Sequence, residues 1–150
     1  WSPDGDLVGC SYSPSANADQ FWMVGKSPDA VPTQLSYQPV LTLDLTWLPD
    51  SSAMLSAARL MGGIETNTLW QIPLVGNADV NSSVFFQSPD LIYPYAPRFS
   101  ADGRWLAARS AYAMALVDMT TLQVRVLPDS YGNTTPVWSP AAFAGETDCT

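Results

Sequence analysis

An aromatic residue followed by a proline- or alanine-bearing turn returns four times along this chain. Trp1-Ser2-Pro3-Asp4-Gly5 is echoed by Trp47-Leu48-Pro49-Asp50-Ser51, by Phe99-Ser100-Ala101-Asp102-Gly103 and by Trp138-Ser139-Pro140-Ala141. The leading aromatics stand 46, 52 and 39 residues apart. Such a period constrains the fold strongly, because each unit is one supersecondary element that must bury its apolar faces against its neighbours. The turn has its own logic. Proline presets φ near −65°, aspartate tolerates the bridge region, and glycine takes a positive φ. This geometry joins two antiparallel strands and directs the preceding aromatic into a core. Ser51 and Ala142 stand where glycine belongs, so the second and fourth turns are expected to be strained or differently built.

The intervals divide into strands. In the third unit, Arg104–Ser110 alternates in period two, Ala113–Asp118 follows, and Thr120-Thr121 turns into Leu122–Leu127. Thr134–Trp138 then reads as the inner strand of the next unit. The second unit reads Ala53–Leu60, Thr68–Leu74 and Ser82–Gln87. The first reads Leu7–Ser13, Gln20–Gly25 and Thr33–Ser36, followed by Val40–Trp47. Four strands in each span of about 40–50 residues predict blades of a β-propeller. A face-to-face sandwich is the competing architecture.

Composition agrees. The acids are twelve Asp and only two Glu, with 13 Pro and 9 Gly, an inventory of turns rather than helix interiors. With six Lys and Arg against 14 acids, the net charge of −8 argues against nucleic acid as a partner. No apolar run approaches the roughly 18 residues of a membrane span. There is no histidine, which removes Ser-His-Asp and Cys-His catalysis. Cys10 and Cys149 lack the spacing of a zinc or redox site. They are either two free thiols or one disulfide closing a very long loop, worth roughly 4–5 kcal/mol in the chain-entropy model.

The segments Trp1–Gly5 with Leu7–Ser13, and Phe99–Ser110 with Leu116–Asp118, resemble the repeat of TolB-like (WD40-like) β-propellers. The resemblance extends over nearly the whole chain. It implies a segment of about three four-stranded antiparallel blades from a six- or seven-bladed disc, with units near 1–46, 47–98 and 99–137 and the start of another over 138–150. It also implies an interaction platform that is periplasmic, cell-surface or secreted. The structural positions of the repeat would be Trp1, Pro3, Asp4, Gly5, Trp47, Pro49, Asp50, Phe99, Asp102, Gly103, Trp138 and Pro140.

Three blades fall short of the usual four to eight. The open faces are therefore expected to be covered by the rest of a longer propeller, in the same or another chain, or by a second copy in a homodimer. The Trp start in mid-motif favours a piece of something longer.

Candidate chemistry is sparse. Lys26 beside Ser27 is the single Ser-Lys pair, and Lys26 is expected to cap the loop Ser27-Pro28-Asp29. Asp44 and Asp118, within or ending strands, are the carboxylates best placed for a glycosidic pair, whereas Asp4, Asp29, Asp50, Asp90, Asp102 and Asp129 belong to turns. Asp4-Gly5-Asp6 offers too few oxygens for calcium, and no cofactor or metal is expected. Trp22 and Trp70 occupy equivalent core positions. The aromatic, proline-rich stretch Tyr93-Pro94-Tyr95-Ala96-Pro97 reads as a rim loop and candidate binding surface, joined by Tyr12, Tyr112 and Tyr131. The expected function is a non-catalytic interaction or scaffold module binding a protein partner. The alternatives are the propeller portion of a prolyl-oligopeptidase-type serine peptidase or a carbohydrate-active propeller.

Overall fold

Alternating strands joined by tight turns pair with their sequence neighbours, and here they do so three times over. The computed structural model describes residues 1–15, 18–38, 40–60, 67–111, 113–128, 130 and 135–139. The first sheet is β1 (Leu7–Tyr12), β2 (Gln20–Gly25) and β3 (Thr33–Gln34). The second is β4 (Val40–Trp47), β5 (Ala53–Leu60), β6 (Thr68–Pro73) and β7 (Ser83–Gln87). The third is β8 (Tyr95–Phe99), β9 (Trp105–Arg109), β10 (Met114–Asp118) and β11 (Gln123–Leu127). All the pairings are antiparallel meanders. The described chain is thus nearly all-β, built of three antiparallel sheets of three or four strands, consistent with partial propeller blades.

The sheets stack in chain order, and the period-two side chains explain how. Along β5, Ala53, Leu55 and Ala57 join Leu106, Ala108, Ala115 and Val117 of the third sheet in one core. Met54, on the opposite face, joins Ile72, Trp47, Phe21 and Leu35 in a second core against the first sheet. The middle sheet is therefore buried on both faces. Met54, Leu55, Leu69, Leu106 and Val117 are wholly inaccessible, and each such side chain contributes roughly 1.5–3 kcal/mol. Gly9 is the point of closest approach: a Cβ there would lie 2.2 Å from Met54 Sδ and 3.2 Å from Trp47 Cζ2.

Two of the aromatics that open the repeats act as wedges between successive sheets, whereas Trp1, expected in a core, is 72% exposed. Trp47, at the end of β4, packs with the first sheet. Phe99, at the end of β8, packs into the core shared with the second sheet and meets Phe85 edge-on at 6.0 Å. Trp138 sits against β8 and donates its indole N–H to Arg98 O at 2.8 Å. Trp22 and Trp70 do occupy the same register place, opposite Cys10 and Ser56 respectively.

Some expectations need correction. Tyr95, Ala96 and Pro97 are part of the inner strand β8 rather than a rim loop; a bulge between Tyr95 and Arg98 lets the strand carry proline at an edge position. β3 is two residues long. A short helix, α1 (Ala78–Asn81), occupies the connection between β6 and β7, for which the sequence reading named no element. Asn77 caps α1 by accepting from the Asp79 N–H, and Asp79 in turn accepts from the Tyr37 and Gln38 N–H groups, tying the helix to the first sheet. Thr134 lies outside the described residues, and 135–139 join no ladder among them.

Candidate functional site

The three described repeat turns share one backbone design. In each, the fourth residue's N–H donates to the first residue's carbonyl: Gly5 to Ser2, Ser51 to Leu48 and Gly103 to Ser100, at 2.9–3.0 Å. That fourth residue has positive φ in every case, 75°, 61° and 69°. Ser51 thus adopts the left-handed conformation without glycine's freedom, which is the strain expected of the second turn.

The aspartates are consumed by this design. Ser2 Oγ accepts from the Leu7 N–H at 2.9 Å and donates to Asp4 Oδ1 at 2.6 Å, which also accepts from the Asp6 N–H. Ser100 and Asp102 repeat the arrangement toward the Trp105 and Arg104 N–H groups. In the second turn Leu48 replaces the serine, and Asp50 takes both the hydroxyl and the N–H of Ser52 instead. These hydrogen bonds favour the ionised form. The serine hydroxyl, then the backbone N–H, holds Asp4, Asp50 and Asp102 below the usual carboxylate range.

Other charges are likewise engaged. Lys26 pairs with Asp6 rather than capping its own loop, and this pairing raises the ammonium's pKa. Asp118 accepts from the Thr120 N–H, which lowers its pKa, and pairs with Arg104 at 3.4 Å. Asp44 pairs with Arg98 Nη2 at 2.9 Å. Asp44 and Asp118 therefore belong to different sheets, each held by its own arginine, and do not form the two-carboxylate arrangement that a glycosidase uses.

Successive turns touch. Ser51 Oγ accepts from the Asp4 N–H at 3.2 Å, and Pro49 lies where a Cβ on Gly103 would fall 3.1 Å from its Cγ. Around this row opens a cleft of about 460 Å³, walled by Trp1, Pro3, Trp47, Pro49, Arg98 and Phe99 together with their neighbours Leu45, Thr46, Ser100 and Ala101. All three units contribute equivalent residues to it. Trp1 is 72% exposed, whereas Trp47 is buried. The Arg98–Asp44 pair bridges the two inner strands beside the opening, with both side chains about one-third exposed.

The tyrosine-rich stretch is partly built into β8. Pro94 and Pro97 are buried, and Tyr95 lies under the Arg109 guanidinium, 4.3 Å from its ring centre. Tyr93 remains exposed, at φ 48°. Tyr12 is exposed on β1, apart from this stretch. Tyr112, Tyr131, Pro140 and Cys149 lie outside the described residues, and Cys10 is an exposed thiol on β1. Sequence reasoning overlooked Arg98; a cation inside the otherwise apolar run Tyr95–Phe99 was the available signal. In comparisons with known proteins, no protein-family model matches the chain and no curated protein matches it.

Proposed function

We propose that this chain is a non-catalytic interaction and scaffold module, a segment of a TolB-like β-propeller working outside the cytoplasm, that binds an extended segment of a protein partner in the cleft where its repeat turns meet. The observation that carries this reading is the convergence of Trp1, Pro3, Pro49 and Phe99 around one opening beside the Arg98–Asp44 pair. Exposed aromatic and proline surface takes up apolar peptide side chains, and a guanidinium at the edge orients a backbone carbonyl or carboxylate. The engagement of Asp4, Asp50 and Asp102 in turns, and of Asp44 and Asp118 with arginines, supports a binding rather than a hydrolytic role. The location outside the cytoplasm and the TolB-like assignment rest on the resemblance of the repeat.

Panning a displayed peptide library against the immobilised chain tests the proposal. Selected peptides should bind the wild type and lose at least tenfold in affinity to Trp1→Ala and to Arg98→Ala. No selectable peptide, or peptides indifferent to both changes, would overturn it.

A further inference from the structure

The face of the first sheet turned away from the second carries positions that are fully covered elsewhere in the repeat. Counting from the shared turns makes Val8, Met54 and Leu106 equivalent, with cross-strand partners Val24, Ile72 and Val117. Met54, Ile72, Leu106 and Val117 are at most 2% exposed, each covered by the preceding sheet. Val8 and Val24 are only half-buried, and on the same face Cys10 and Tyr12 are exposed. Among the described residues β1 is also the edge of its sheet, on the side where β5 and β9 are each paired with an inner strand, β4 or β8.

The chain holds the matching surface on its third sheet. The far face of that sheet carries half-buried Trp105 and Leu116 around a buried Ala107, the places that Leu7, Met23 and Gly9 fill on the face covering the second sheet. Of residues 135–139, Trp138 lies half-buried against the edge strand β8 and Val137 is 88% exposed. Trp138-Ser139 repeats Trp1-Ser2, yet Trp1 is 72% exposed. One of the two tryptophans is seated and the other is surplus.

We infer that the open face of the first sheet is a self-association surface whose occupant is the third sheet of a second copy of this chain. Residues 135–138 of that copy lie along β1 as its inner strand, and their Trp138 takes the wedge position that Trp47 and Phe99 hold at the other two junctions. Trp1 stays on the rim of the cleft. Pro136 fits such a strand because inner strands pair on one side only, as Pro97 within β8 does. The same contact made reciprocally gives two identical junctions between two copies. This inference concerns the sheet faces and does not depend on what the cleft binds.

Sedimentation equilibrium of the whole chain should return twice the 16.2 kDa chain mass. Val24→Glu should weaken association at least tenfold with an unchanged far-UV spectrum; Tyr12→Glu, at a position 59% exposed, gives the same reading should Val24→Glu disturb folding. In a Cys149→Ser background, a short bismaleimide should join Cys10 of one copy to the thiol introduced by Leu116→Cys in the other. A monomer at every concentration overturns the inference, as does a dimer that ignores the charge substitutions or fails to crosslink.

Discussion

A serine two residues ahead of an aspartate lets the first and third repeat turns close in the same way. The hydroxyl of Ser2 or Ser100 accepts from a strand N–H and donates to the carboxylate, so one small side chain replaces two water contacts. The roles of Pro3, Asp4 and Gly5 were legible in the sequence because turn preferences are local. The serine's role was not, since it depends on the N–H five residues on. The same contact predicts a pH dependence. A depressed carboxylate pKa adds stability that is complete above the ordinary value of about 4 and is lost as pH falls through the lower folded-state value. Asp102→Asn should therefore lower Tm at pH 7, and the gap to wild type should close below about pH 4. Thermal melts across that range check this, and a gap constant with pH would show that the carboxylate's charge contributes nothing.

At the scale of elements, strands with strict alternation were readable almost to the residue: β2, β4 and β5 have the bounds that pattern alone suggests. The failures have a common cause. β8 contains two prolines' worth of loop signal in its approach and interior, but an edge strand tolerates what a central one cannot. α1 is held by Asn77 and by Asp79 contacts to the first sheet, a tertiary arrangement that four residues do not announce. The missing Cβ of Gly9 sets the spacing of two sheets, a contact that no local pattern marks. Gly9→Val should drive into Met54 and Trp47, both buried, and destabilise the chain by about 1–3 kcal/mol. Denaturant unfolding measures this; a neutral result would mean that the first sheet is free to slide off the second.

For the whole molecule, the decisive feature is that the middle sheet is covered on both faces while the outer two are each covered by one. In a stack whose members touch only their neighbours, stability is a sum of sheet terms and junction terms, so the middle sheet collects two junctions. In the single copy, at concentrations below self-association, its amides, in β5 and β6 above all, should then exchange with solvent most slowly. Leu106→Ala removes a wholly buried side chain from the junction between the second and third sheets, at a cost of about 2–5 kcal/mol. That loss should appear as faster exchange in β8–β11, a smaller effect in β4–β7, and least of all in β1–β3, which the substitution does not touch. Equal acceleration in all three sheets would show instead that the stack opens as one unit, with its junctions stronger than the sheets they join.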